Sequence, residues 1–314
     1  MSNFFKGLKF LRAVDVLVIL FTNFLSVLTL IFSFGSALSV SIIAVNIAAA
    51  FLIIAVARAN ASQQNKFIRA VYDWYPVPAI FFIFKEVYYT IQAISGRDWD
   101  SFFIVADRAV FGADPTVWLM KFASPVLTEV LQLSYTSYYF IMLAVGIELY
   151  VKNEREKYLA AVFTVVYGFV LSYFGYLSFP AVGPRFTLHD FNAINSELPG
   201  VWLTNSIRGL INMGESIPDG AANAIAVAQR DVFPSGHTQM TLITMYFAWK
   251  YRLKVRYAIH IFGTLLIIST VYLRYHYVVD LFGGMLFMFF TLWSAPRLLA
   301  YWSSIGNGKV RISP

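Results

Sequence analysis

Three short polar stretches carry the side chains of this sequence that are suited to chemistry. They read "FPAVGPRF" at 179–186, "FPSGH" at 233–237 and "STVYLRYHYVVD" at 269–280, and each adjoins an apolar run. Together they supply imidazoles, guanidiniums, a hydroxyl, a carboxylate and a glycine amide. The residues are Arg185, Ser235, Gly236, His237, Arg274, His276 and Asp280.

This set of groups is typical of a phosphate site. Guanidinium groups bind phosphate oxygens in pairs, which makes Arg185 and Arg274 candidate phosphate ligands. Ser235 and Gly236 stand directly before an apolar segment. A helix that begins there would present unpaired N–H groups to an anion, so both residues are further candidate ligands.

The two histidines suit covalent catalysis. His276 and Asp280 are four residues apart and would share one face of a helix. A carboxylate bonded to one ring nitrogen fixes the tautomer and raises the basicity of the other. We therefore interpret His276 as a nucleophile that attacks phosphorus, and His237 as the general acid for the leaving alcohol. No metal or other cofactor is needed, and Mg²⁺ would require more carboxylates.

The motifs resemble the type 2 phosphatidic acid phosphatase superfamily over roughly residues 70–302. The family's Pro-Ser-Gly-His motif is complete at 234–237, and Ser269, His276 and Asp280 keep the spacing of its third motif. The resemblance implies a six-helix core and a phosphohistidine mechanism.

The chain departs from the family pattern at two positions. Ser178 stands where the first motif has Lys, and Thr270 stands where the third motif has Arg. "FPAVGPRF", "YLRYHY" and "DRAVFGADPTVWL" are similar to the branch of fungal inositol phosphorylceramide synthase and its bacterial relatives. Because the fungal synthase transfers phosphoinositol to ceramide, the acceptor here is either water or a lipid alcohol.

The missing first-motif Lys needs a substitute. Lys85 and Glu86 lie inside an apolar segment, where ionisable residues are costly and usually functional. We interpret Lys85 or Arg274 as the replacement phosphate ligand. The alternative is that Lys85 and Glu86 form a structural ion-pair network between helices.

The composition predicts a membrane protein. Of the 314 residues, 59% are hydrophobic and 13% are charged, against about 25% in globular domains. The chain has no cysteine, which excludes disulfides and thiolate sites. We expect an all-α polytopic helix bundle with about eight transmembrane helices. The predicted spans are 13–34, 38–57, 70–94, 125–151, 158–179, 237–251, 254–273 and 279–302.

Loop charges predict the orientation. Sixteen Lys and Arg residues fall on the face that holds both termini, and seven fall on the other. The positive-inside rule therefore places the termini in the cytoplasm and the three polar stretches on the non-cytoplasmic face. We expect the bacterial inner or plasma membrane.

We predict three regions in the chain. Residues 1–60 form two extra transmembrane helices, 61–302 the six-helix catalytic domain, and 303–314 a cytoplasmic tail. Within the catalytic domain, 95–124 and 180–236 are long outer loops. The mildly amphipathic "LTNSIRGLINMG" at 203–214 would serve as a lid that admits a lipid sideways.

The leading functional interpretation is a lipid phosphatase or phosphotransferase. Its substrate would be a membrane lipid that bears a phosphate or diphosphate, with no nucleic-acid partner. The alternative within this class is a head-group transferase similar to inositol phosphorylceramide synthase. The alternatives of other classes are a lipid transporter, for which the sequence has no inverted repeat, and an inactive scaffold.

Overall fold

The computed structural model describes residues 10–63, 65–94, 96–218 and 223–305. All secondary structure in these residues is helical, which confirms the predicted fold class. Twelve helices of nine or more residues occur in these ranges. They are α1 Ala13–Phe32, α2 Ala37–Ser62, α3 Lys66–Trp74, α4 Pro76–Ile94, α5 Asp100–Phe111, α6 Pro125–Thr136, α7 Tyr138–Val151, α8 Arg155–Ser178, α9 Thr204–Gly214, α10 Gly236–Lys250, α11 Arg256–Tyr272 and α12 Val278–Ile305.

Five helical segments in the described residues are long and apolar enough to cross a membrane. They are α1, α2, α3 with α4, α8 and α12, and the pair α6–α7, bent by 46°, would make a sixth. These segments indicate a membrane protein. The predicted number of eight is not confirmed, because the sixth and seventh predicted spans form α10 and α11, which have only 15 and 17 residues.

The chain divides into two compact units. The first contains the described residues of 1–95, 149–171 and 290–314, and the second those of 96–148 and 172–289. The predicted boundary at residue 60 stays a prediction. Of the predicted tail, residues 306–314 lie outside the described part of the chain.

A buried charge cluster ties helices together in the first unit. Arg12 stands at the start of α1, where its backbone N–H donates to Asp15 at 2.6 Å, and its guanidinium donates to Asp73 at 2.9 Å. Tyr75 of the same unit donates its hydroxyl to Asp15 at 2.7 Å. Buried charges are stable only when they are paired and hydrogen-bonded. Both carboxylates of this cluster are paired with Arg12, although Oδ2 of Asp73 has no hydrogen-bond partner among the described residues.

The second unit holds all three polar stretches and is held together by long-range contacts. Glu129 of α6 accepts backbone N–H groups from Val201 at 2.9 Å and Leu203 at 2.7 Å, which fixes the start of α9. The hydroxyls of Thr128 and Tyr272 lie 2.8 Å apart and join α6 to α11. These bonds position the segment 201–203 against α6, and α6 against α11.

Candidate active site

The Pro-Ser-Gly-His stretch forms the N-terminus of α10. Ser235 is the N-cap residue, and its hydroxyl accepts the N–H of Thr238 at 3.2 Å. The backbone N–H of Ser235 donates to the carbonyl oxygen of Asp280 at 3.0 Å. The side chain of Ser235 thus caps α10, and its backbone N–H joins the second motif directly to the third.

Gly236 is required by a close approach. A Cβ atom at this position would lie 2.3 Å from the hydroxyl of Tyr176. Tyr138 also donates its hydroxyl to the Gly236 carbonyl at 3.2 Å. Any larger residue would force Tyr176 away from the start of α10.

The two histidines meet. Nε2 of His276 lies 3.5 Å from Nδ1 of His237, and the ring centroids are 5.6 Å apart. The rings of Tyr135 and Tyr138 pack on His237 with centroid distances of 4.6 and 4.4 Å. His276 is 4% exposed. Two tyrosine rings thus restrain the ring of His237, and His276 is buried beside it.

Asp280 stands on the other side of the His276 ring. Its Oδ2 lies 3.5 Å from Nδ1 of His276 and accepts the N–H of Tyr277 at 2.7 Å. The distance to His276 exceeds that of an ordinary hydrogen bond. Burial lowers the pKa of His276 well below its ordinary value, and the neighbouring His237 lowers it further. The imidazole of His276 is therefore neutral at physiological pH.

Arg185 is bonded to a glutamate. Its guanidinium forms an ion pair with Glu215 and donates from Nη1 to Asn212 at 3.5 Å. The guanidinium carbon lies 4.8 Å from the centre of the Tyr275 ring, beside His276 in sequence. The backbone N–H of Arg185 donates to the carbonyl oxygen of Arg274 at 3.0 Å. The first and third motifs are thus in contact through their main chains.

Arg274, like Arg185, is paired with a glutamate. Its Nη1 lies 2.5 Å from Glu197, and its Nη2 lies 2.9 Å from the sulfur of Met120. Its Nε has no hydrogen-bond partner among the residues that the structure describes. Both arginines that we predict to bind phosphate are therefore paired with glutamates of the outer loop 180–236.

The sequence did not reveal the roles of two aspartates on α5. Asp100 accepts the N–H groups of Val182 at 3.0 Å and Gly183 at 2.8 Å, inside the first motif. Asp107 accepts the N–H groups of Val278 at 2.9 Å and Val279 at 2.8 Å, just after His276. Their spacing of seven residues on a mostly apolar helix was the available signal, since such residues share one face.

Lys85 lies in the first unit, whereas the other predicted site residues lie in the second. Its Nζ is 5.8 Å from the centre of the Tyr88 ring. The adjacent Glu86 is hydrogen-bonded to the Asn46 amide at 2.5 Å. The role of Lys85 as a phosphate ligand stays a prediction. Within the described residues, no group of three or more His, Asp or Glu side chains is arranged to hold a metal ion.

The sequence around the candidate site matches a known protein family. A family model described as the PAP2 superfamily matches residues 102–294. The chain belongs to the PAP2 superfamily. The matched region contains the three polar stretches and the helices that carry them, and membership supports a phosphatase-type lipid function.

One relative has a name that agrees with this family. The chain is similar to a PA-phosphatase related-family protein of Dictyostelium discoideum, with 26% identity over 223 residues. The alignment covers 64% of this chain and 37% of the relative, so the chain corresponds to little more than a third of that protein. No solved structure matches the chain.

Proposed function

We propose that this PAP2 protein is an integral membrane lipid phosphatase or phosphotransferase that works through a phosphohistidine intermediate without a metal. Its substrate is a lipid that bears a phosphate or diphosphate. One observation carries the proposal: Nε2 of His276 lies 3.5 Å from His237 while Asp280 stands 3.5 Å from the opposite ring nitrogen. These distances support a nucleophile with an acid on one side of its ring and an orienting carboxylate on the other.

In the first step, the lone pair on Nε2 of His276 attacks phosphorus. The bond from phosphorus to the leaving oxygen breaks, and His237 gives its proton to that oxygen. Asp280 orients the His276 ring and balances the positive charge that develops on it. Arg185, Ser235 and Gly236 hold the phosphate oxygens, with Arg274 and Lys85 as further candidates.

In the second step, an acceptor hydroxyl attacks the phosphohistidine. His237, now neutral, takes the proton of the acceptor, and the phosphorus–nitrogen bond to His276 breaks. Water as acceptor gives hydrolysis, and a lipid alcohol gives head-group transfer. The aromatic surrounding of His237, formed by Tyr135 and Tyr138, favours an acceptor with an apolar part, so transfer is the second candidate function.

The site works on the non-cytoplasmic face in this proposal. The support is the distribution of Lys and Arg, with sixteen on the face of the termini and seven on the face of the motifs. A lipid in the outer leaflet would then reach the site through the outer loop.

The test offers the purified protein a panel of lipid phosphates and diphosphates, with and without diacylglycerol, ceramide or polyprenol. Phosphate release that His276→Ala abolishes supports hydrolysis, and a new phospholipid without phosphate release supports transfer. His260→Ala is the matched control, because that ring bonds to the Arg256 carbonyl at 2.7 Å on α11. If no lipid is turned over but lipid moves across the membrane of vesicles that contain the protein, the proposal is wrong and the protein is a lipid transporter.

A further inference from the structure

One face of α5 contacts all three polar stretches. The buried residues of this helix are Asp100, Phe103 and Asp107, and their spacing of three and four places them on one face. Two of the three are acids, at 5% and 2% exposure, although acidic side chains are almost never fully buried unless they are paired. The burial of two carboxylates on a short outer helix therefore calls for partners.

Asp100 holds the bend of the first motif. Its two oxygens accept the N–H groups of Val182 at 3.0 Å and Gly183 at 2.8 Å. Gly183 has φ of +95°, and a Cβ atom there would lie 2.9 Å from the carbonyl oxygen of Tyr275, so the bend packs closely on the third motif. Arg185 follows two residues later. Asp100 thus fixes the backbone that presents the Arg185 side chain.

Asp107 holds the start of α12. Its two oxygens accept the N–H groups of Val278 at 2.9 Å and Val279 at 2.8 Å. The first N–H groups of a helix have no partner within the helix, and a carboxylate at this end is stabilising. His276 precedes this point by two residues and Asp280 follows it by two. Asp107 thus fixes the backbone from which both side chains of the third motif extend.

Phe103 lies between the two aspartates and joins the second motif to the same face. Its ring stacks on Phe233, which precedes Pro234 in the sequence, with a centroid distance of 4.9 Å, and on Tyr277 at 6.0 Å. Tyr277 donates its hydroxyl to Asp100 at 2.8 Å. The aspartate of the first motif is therefore also bonded to the residue that follows His276.

The carboxylates and the motifs satisfy each other. A buried carboxylate is costly unless it is hydrogen-bonded, and a buried backbone N–H is costly unless it has an acceptor. Both oxygens of Asp100 and of Asp107 are used by backbone donors of the motifs. An amide of the same shape has only one accepting atom, so an Asp→Asn change leaves one N–H opposite an NH₂ group.

We propose that Asp100 and Asp107 are positioning residues with separate tasks, Asp100 for phosphate binding through the first motif and Asp107 for attack by His276 through the third. The inference rests on the proposed function and adds to it that α5 is the common support of both motifs. Neither aspartate takes part in bond breaking, which remains with the histidine pair.

The kinetic test separates the two tasks. Asp100→Asn should raise KM for a lipid phosphate about tenfold and leave kcat within about twofold, because the phosphate is held in both the ground state and the transition state. Asp107→Asn should lower kcat about 10–100-fold and leave KM within about twofold, because a small displacement of the attacking ring slows the chemical step. Equal changes of KM and kcat in the two variants would overturn the assignment.

Asp114→Asn is the matched control. Asp114 lies in the same outer loop, just after α5, and its carboxylate accepts from Arg108 at 2.7 and 2.9 Å. Its KM and kcat should match those of the wild type. A loss as large as that of either test variant would mean that removal of any carboxylate from this segment disturbs the site, and would overturn the proposal.

Hydrogen exchange keeps the test valid for a variant that loses all activity. We expect the amides of 182–183 to exchange faster in Asp100→Asn, and those of 278–279 to exchange faster in Asp107→Asn, because each amide pair loses its acceptor. The other pair should be unchanged in each variant. Faster exchange of both pairs in either variant would show general unfolding and overturn the separate tasks.

A binding measurement separates this inference from the proposed function. Calorimetry with inorganic phosphate and the purified full chain needs no turnover. Asp100→Asn should weaken phosphate binding about tenfold, and Asp107→Asn should leave it unchanged, since tenfold is about 1.4 kcal/mol and a hydrogen bond to a charged group contributes about 1.5–3 kcal/mol. Equal phosphate binding by both variants would overturn the assignment. If the wild type turns over no lipid phosphate, the proposed function is wrong, and the exchange and phosphate measurements still decide the tasks of the two aspartates.

Discussion

Glu215 occupies the guanidinium of Arg185, the arginine that we propose as a phosphate ligand. A substrate phosphate must share that guanidinium with the carboxylate or displace it. Glu215→Gln keeps a hydrogen-bond acceptor and removes the negative charge that opposes the phosphate. We expect KM for a lipid phosphate to fall about threefold to tenfold, since loss of a nearby like charge changes binding by about 1 kcal/mol.

The control for this variant is Glu154→Gln, a surface glutamate that pairs with Lys157 at 3.1 Å in the first unit. Its kinetics should match the wild type. A higher KM or a lower kcat for Glu215→Gln would mean that Glu215 holds Arg185 in place for catalysis and does not compete with substrate.

The loss of rate caused by His237→Ala should be greater for a more basic leaving group. A lipid alcohol must receive a proton as it departs, whereas p-nitrophenolate leaves as the anion. We expect His237→Ala to slow release from a lipid phosphate by about 10²–10⁴, and to slow p-nitrophenyl phosphate much less. Measurement of kcat/KM for both substrates checks this. Equal losses would assign His237 a structural role between Tyr135 and Tyr138.

The pH profile tests the state of His276. Burial lowers the pKa of His276, so the ring stays neutral, and able to attack, as the pH falls through its ordinary value of about 6.5. For a phosphodiester that does not titrate between about pH 5 and 8, the acid limb of kcat/KM should lie below about 6.5. A midpoint at or above that value would contradict a buried neutral nucleophile.

The sequence predicted which motif residues lie near each other more completely than it predicted the partners of those residues. The spacing of four residues predicts that Asp280 lies near the imidazole ring of His276, as it does. The Ser-Gly pair before an apolar run predicts the N-cap at Ser235. Both are properties of neighbouring residues. The cap is inferred from helix geometry. The helical face that we predict for His276 and Asp280 is wrong, because α12 begins at Val278, so His276 precedes the helix and lies near Asp280 at its N-terminus.

The partners of the arginines could not be inferred in the same way. Glu215 lies 30 residues from Arg185, and Glu197 lies 77 residues from Arg274. Loop conformation decides these pairs, and no local period encodes it. The number of spans is a separate case. The predicted sixth span, 237–251, already has the 15 residues of α10, whereas the 46° bend between α6 and α7 was not predicted from the hydropathy of 125–151.

Gly236 gives the sharpest test of the packing around the cap. Gly236→Ala places a methyl group 2.3 Å from the Tyr176 hydroxyl, and overpacking of this kind costs about 1–3 kcal/mol. We expect a lower Tm and reduced phosphate release, because the start of α10 must move.

Tyr176→Phe removes the oxygen that clashes, since the ring carbon behind it lies 3.7 Å from the same Cβ position. Tyr176→Phe alone also removes a hydrogen bond to the backbone of Gly236, so the double variant should lose less Tm than the sum of the two single variants. Gly214→Ala, where nothing lies within 4 Å, is the control and should not lower Tm. Additive losses in the double variant would show that the Tyr176 contact does not fix Gly236.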